Sequence, residues 1–142
     1  MISVNSAYVF SITLASLKHL QEKFPKNFSV QVDIVNEDIQ HAVDFINTNY
    51  QKHITVEEVA KTVNITRSHL YKLFKKNLSC SPKEYLTYIR VYHASQLLIH
   101  TNTHISEISK RVGYKDSLLF SKNFTKHFEI SASEYRRQFA NQ

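Results

Sequence analysis

Two short stretches of this 142-residue chain place positive charge and hydrogen-bond donors at the spacing of one helix face. In the first, Leu70, Leu73 and Phe74 form a 3.6-period apolar stripe, which turns Arg67, Ser68, Tyr71, Lys72 and Lys75 to the opposite side. In the second, the outer face carries Ser117, Leu118, Ser121, Lys122, Thr125 and Lys126. A rigid helix with a polar, basic face has the geometry that enters the major groove of duplex DNA. The residues give no support to catalysis: Asp116 and Glu129 lack a paired carboxylate, and no Ser/His/Asp set with a nucleophile elbow is present. His100 and His104 have i, i+4 spacing, but Thr101-Asn102-Thr103 between them reads as a turn, and no Cys or acidic partner is near. Neither a metal nor a cofactor is expected. His69 and His127 lie in or beside the exposed faces and could tune binding as pH falls, whereas His93 reads as packing.

The elements that must hold these faces occur twice. Val59, Val63, Ile65, Leu70, Phe74, Leu78 and Tyr85 correspond to Ile108, Val112, Tyr114, Phe120, Phe124, Phe128 and Tyr135, offset by 49 residues before a turn and 50 after it. Ser81-Pro82-Lys83-Glu84-Tyr85 is answered by Ser131-Ala132-Ser133-Glu134-Tyr135. Asn64 and Gly113 fall at the two turns, where both residue types tolerate a left-handed backbone, and small Ala60 lets one helix cross close to the next. The repeated unit is therefore a helix-turn-helix. Upstream, Asn36 followed by Glu37 and Asp38 starts a helix that buries Ile39, Val43, Ile46 and Tyr50. Thr55 with Glu58 forms a capping box, and the exposed helix that opens near Ser68 is expected to end near Lys76. Ser81-Pro82 opens a long helix running to about His100, with Leu86, Ile89, Arg90, Ala94, Leu97 and Leu98 on its inner side. Its length, roughly 28 Å, is a little under one turn of B-DNA, roughly 34 Å. Two recognition helices so spaced could enter successive major grooves, with some bending of the DNA. Arg90 is placed either to tie the two halves together or to reach a phosphate.

Composition agrees with a polyanionic partner: the formal charge is +6 and the pI about 9.4. One Gly and two Pro argue against an all-β fold and a Gly-rich phosphate loop. The single Cys80 excludes an internal disulfide, fits a reducing cytoplasm and reads as a small, half-buried residue. No apolar run spans a bilayer, and Tyr8 to Leu20 lacks the marks of a secretory signal. Residues 1–35 differ in character. Phe10, Leu14, Leu17, Gln21 and Phe24 trace a narrow helical seam before Pro25, and Phe28, Val30, Val32 and Ile34 alternate as a short strand would. Such a seam makes a homodimer through Phe10, Leu14, Leu17 and Phe24, packs on the helical body, or is the end of a larger upstream domain.

The duplicated unit, the Ser-Pro-Lys-Glu-Tyr box, the Arg-Val-Tyr-His-Ala-Ser-Gln-Leu-Leu helix and the Val-Gly-Tyr-Lys-Asp turn together resemble the DNA-binding domain of the AraC/XylS family of bacterial transcription regulators, over roughly residues 36–140. The resemblance implies a seven-helix domain that binds double-stranded DNA and often touches RNA polymerase to activate promoters. It also implies that residues 1–25 correspond to a dimerisation helix that in many members follows a ligand-binding β-domain, which has no counterpart in this sequence. Carried over by position, base contacts fall to Ser68, Tyr71 and Lys72, and to Ser117, Leu118, Ser121 and Lys122. Lys72 and Lys122 can donate to guanine, while Leu118 can meet only a thymine methyl. Arg67, Lys75, Lys76, Thr125 and Lys126 fall to phosphates. Two departures stand out: Asn64 replaces a glycine usual at the first turn, and Leu118-Leu119 replaces residues that are often polar, so one leucine is expected in the core and specificity is expected to rest on the first unit.

The expected fold is all-α, two helix-turn-helix subdomains joined by a long linker helix and preceded by an N-terminal helical segment. The expected division is 1–35 for that segment, 36–80 for the first subdomain, 81–100 for the linker helix and 101–142 for the second. The competing function is a duplicated helical module that binds an acidic protein partner; a preference for particular duplex sequences would separate the two.

Overall fold

Helix α1 (Glu37–Asn49) starts where Asn36 turns its side-chain oxygen onto the backbone N–H groups of Asp38 and Ile39, at 2.8 and 3.4 Å. The computed structural model describes residues 36–140; the seam at Phe10, Leu14, Leu17 and Phe24 and the alternating segment lie outside the described residues. Six further helices follow: α2 (Val56–Thr62), α3 (Arg67–Leu78), α4 (Pro82–His100), α5 (Ile105–Arg111), α6 (Ser117–Phe128) and α7 (Ala132–Phe139). Among the described residues the fold is all helical, with α2–α3 and α5–α6 as the two helix-turn-helix pairs.

The duplication extends to the backbone. At the first turn Asn64 has φ 58° and donates to the Lys61 carbonyl, while Ile65 donates to that of Ala60. At the second, Gly113 has φ 103° and donates to Lys110, while Tyr114 donates to Ser109. Both recognition helices then end on a left-handed residue, Ser79 at φ 57° and Glu129 at φ 65°, each closing back on the carbonyl four residues earlier. The same turn hydrogen bonds and the same left-handed stop are thus made twice.

Every helix start but that of α5, at His104, has a side-chain cap. Thr55 and Glu58 exchange hydrogen bonds as a full capping box at α2, and Ser81 and Glu84 do the same at α4, whose first helical residue is Pro82. At α7 the box is half made: Ser131 accepts from the Glu134 N–H, but the Glu134 carboxylate turns to Arg137 and Gln138.

The first unit packs aliphatic residues from α1 (Ile39, Ala42, Val43, Ile46) against Val59, Leu70, Phe74 and Leu78. The second is aromatic: Phe124 stacks on Phe128 at 4.5 Å, and Tyr135 meets both edge-on at 5.4 and 4.9 Å. Helix α4 belongs to both cores. Its Tyr85 hydroxyl donates to Asn47 on α1 at 3.1 Å, and at its far end Arg136 of α7 donates to the carbonyls of Leu98 and Thr101, both at 3.1 Å.

Three expectations change here. The exposed helix α3 ends at Leu78 instead of near Lys76, because Leu78 is needed as a buried anchor before the left-handed cap. Helix α4 is buried well beyond the expected inner side: Tyr88, Val91, Tyr92 and Ser95 are buried as well, while Leu97 is only partly so, since units pack on it from more than one direction. Cys80 is fully buried, only 3% exposed, and burial, followed by the nearby Glu84 charge, pushes its thiol up to about 12. It is an inert core residue.

Candidate nucleic-acid interface

The two exposed helices are held alike. Thr66 caps α3 by accepting from the His69 N–H at 3.1 Å, and Asp116 caps α6 by accepting from the Leu118 N–H at 2.8 Å. Leu70, Leu73, Phe74 and Leu78 seat the inner face of α3; Phe120, Phe124 and Phe128 seat that of α6. Every residue read as a base or phosphate contact is consequently exposed: Arg67, Ser68, Tyr71, Lys72, Lys75 and Lys76 on α3, and Ser117, Leu118, Ser121, Lys122, Thr125 and Lys126 on α6.

Exposure does not make these groups equivalent. Lys75 lies 3.7 Å from the Glu84 carboxylate and over the Tyr71 ring at 5.6 Å, so one lysine links the recognition helix to the cap of α4 and contacts the Tyr71 ring. The Ser81 N–H, followed among the lowering influences by Lys75, holds the Glu84 carboxyl below its ordinary range, so this tie persists into mild acid. The leucine pair departs from expectation. Leu118 is 79% and Leu119 48% exposed, so neither is core; the buried positions of α6 are all taken by phenylalanines.

Between the units runs an open groove of about 910 Å³. Lys75, Lys83, Arg90, Leu119, Lys122 and Lys126 are among the residues that line it. Lys83 and Leu119 were not singled out from the sequence as DNA contacts. Lys83 carried a signal, as a charge inside the Ser-Pro-Lys-Glu-Tyr box; Leu119 carried one only as half of the apolar pair, of which one member was expected in the core. Exposed Lys115, the extra residue of the second turn, is a further cation beside α6.

Arg90 is turned inward: its hydrogen bonds join α4 to the first unit, and its contact with the Tyr114 ring reaches the second. Its guanidinium donates to the carbonyls of Tyr50 and Lys52, both at 2.8 Å, and sits 5.7 Å from the Tyr114 ring. Burial pulls it below its ordinary value. A Cβ at Gly113 would lie 2.5 Å from the Tyr50 carbonyl oxygen and 2.9 Å from Arg90 Nε, so the bare glycine lets the second turn approach this joint. His93 packs as expected: it stacks on Tyr50 at 4.2 Å, and burial lowers it to about 4. The His127 ring lies 2.8 Å from the Asn123 carbonyl. Among the described residues no cluster of metal-binding side chains occurs, and no helix is long and apolar enough to cross a membrane.

A family model described as a helix-turn-helix domain matches residues 59–138. The lactose operon transcription activator of Staphylococcus xylosus is 88% identical over 121 residues, which are 85% of this chain and 43% of that protein. The C-terminal domain of AraT, a response regulator from Geobacillus stearothermophilus, is similar at a TM-score of 0.71 and 32% identity, over 73% of this chain and 87% of that one. The DNA-binding domain of AdpA, solved in complex with a target DNA, shares the fold at a TM-score of 0.71 and 19% identity, over 75% of this chain and 96% of its own. The chain spans about half or less of the length of the curated relatives it matches, such as the Staphylococcus xylosus protein and the Msm operon regulatory protein of Streptococcus mutans. Fold and site together define a double helix-turn-helix DNA-binding domain. The chain belongs to the AraC/XylS family of transcription regulators, and it is not an enzyme.

Proposed function

We propose that this chain is the DNA-reading part of a transcription activator and sets α3 and α6 into successive major grooves on one face of a duplex. The observation that carries this reading is the pair of capped, twelve-residue helices whose outer faces are exposed and largely basic or hydroxylic. Ser68, Tyr71, Lys72, Ser117, Leu118, Ser121 and Lys122 read base edges; Arg67, Lys75, Lys76, Thr125 and Lys126 hold phosphates. The division is a first subdomain at 36–80, a linker helix at 81–100 and a second subdomain at 101–142, with residues 1–35 as a segment that dimerises through Phe10, Leu14, Leu17 and Phe24. The Staphylococcus xylosus relative supports activation of a lactose operon, and contact with RNA polymerase is the route by which a domain of this size would deliver it.

The test is selection of bound duplexes from a random pool at near-physiological salt. Two enriched blocks about one helical turn apart are expected. Binding without enrichment would overturn the reading and leave only general electrostatics.

A further inference from the structure

We propose that Leu118, flanked by Leu119, reads the 5-methyl group of a thymine in the major groove that receives α6. The inference rests on the DNA reading above and assigns the second unit a base chemistry different from that of the first.

Nothing in the fold asks for these leucines. Leu118 is 79% exposed and Leu119 48%, and among the described residues only Tyr71 joins them as an exposed large hydrophobic side chain. A polar residue at either place would leave the core of α6, built on Phe120, Phe124 and Phe128, untouched. The counterpart of Leu118 in the first unit is Ser68, so the repeated architecture accepts a hydroxyl at that position.

The surroundings select the occupant. Exposed Lys115 and Lys122 and the hydroxyls of Ser117 and Ser121 border the leucines, which suits a polyanion and repels a second copy of the same basic face. In a duplex major groove the apolar group available to a leucine is the thymine methyl. Position points the same way, because the N-terminal residues of a recognition helix approach base edges. Asp116 already occupies the cap of α6 with a carboxylate that accepts from the Leu118 N–H at 2.8 Å, so this helix start offers no seat to a phosphate. The leucines are what it offers instead.

The experiment uses the full chain and a duplex carrying the two selected blocks. Each thymine of the second block is replaced in turn by deoxyuridine, which removes the methyl and keeps every hydrogen-bonding group. We expect about a fourfold loss of affinity at the contacted position and less than a twofold change for the same replacements in the first block. Leu118→Ser, with circular dichroism and melting unchanged, should bind the thymine and uracil duplexes equally. Equal binding of both duplexes by the unaltered chain would overturn the inference, as would a second block without enriched thymine. A Leu118→Ser chain that keeps its methyl preference but activates poorly would also overturn it, placing the leucines against a protein. Failure to select any sequence would remove the DNA reading itself, whereas selective but methyl-blind binding removes only this assignment.

Discussion

The two helix-turn-helix units share a backbone and differ in nearly everything built on it. Turn hydrogen bonds, left-handed caps and the burial of the inner face repeat from one to the other. Yet the first is an aliphatic unit backed by its own helix α1, and the second is an aromatic unit packed on α4 and α7. Their outer faces diverge independently of their cores: Ser68, Tyr71 and Lys75 stand where the second unit has Leu118, Ser121 and Thr125. A local motif of turn and caps is enough to fix geometry. Core composition and reading chemistry are then free to change separately.

The largest expected effect probes the cores. Phe124→Ala should destabilise the chain by about 4 kcal/mol, read as a lower urea midpoint, because Phe124 joins Phe120, Phe128 and Tyr135 in one aromatic cluster. A single transition shared by both units is expected; two separated transitions would break the idea that α4 couples them.

The turns should respond unequally. Gly113→Asn copies the residue of the first unit, yet its Cβ would meet the Tyr50 carbonyl, so a loss of about 3 kcal/mol is expected. Asn64→Gly at the first turn, where φ is already 58°, should change stability by under about 1 kcal/mol. Equal losses would show that the two turns are interchangeable after all.

Acid sharpens the comparison on the side of the first unit. His93 is neutral in the folded chain down to about 4, whereas the unfolded chain takes up a proton near 6.5. The unfolded state therefore binds more protons between those values, and stability falls as pH drops through that window, by up to roughly 3 kcal/mol at its lower end. His93→Phe, which keeps an aromatic ring against Tyr50, should flatten the pH dependence of the melting temperature over that range. A wild-type melting temperature constant from pH 6.5 to 4.5 would show that His93 is as basic folded as unfolded.

The smallest effect separates the reading faces. Tyr71→Ala should weaken DNA binding by about 1–2 kcal/mol, since the mutation removes a large exposed ring beside Lys75, and Ser121→Ala by about 0.5 kcal/mol. Titration of the selected duplex with each variant checks the ranking, and the reverse order would move the greater share of contact to the second unit.

Much of this was legible in the sequence because it is local. The capping pairs Thr55–Glu58 and Ser81–Glu84, the turn residues Asn64 and Gly113, and the limits of α4 are set within a few residues of themselves. What was not legible depends on partners far along the chain. The burial of Tyr88, Val91 and Tyr92 escapes a periodicity argument, which assumes that a helix has one buried side, whereas α4 is packed on by elements from both ends of the fold. The outer place of Leu118 was readable from the repeat; the exposure of Leu119 beside it followed only once Phe120, Phe124 and Phe128 were seen to fill the inner face. Likewise, Arg90 lies 40 residues beyond its Tyr50 partner, and no local pattern records that bond.

The joint of Tyr50, Arg90 and Gly113 makes the molecule a ruler. With α4 shared by both cores and Arg90 hydrogen-bonded to the first unit beside the Tyr114 ring of the second, the proposed docking of both helices predicts that occupancy of one half-site presents the other at a high effective concentration. A ruler also forbids adjustment. One base pair inserted between the half-sites turns the second by roughly 35° about the duplex axis, and is therefore expected to weaken binding. On the proposed reading, the spacing of the operator is set by α4 just as its bases are set by the outer faces.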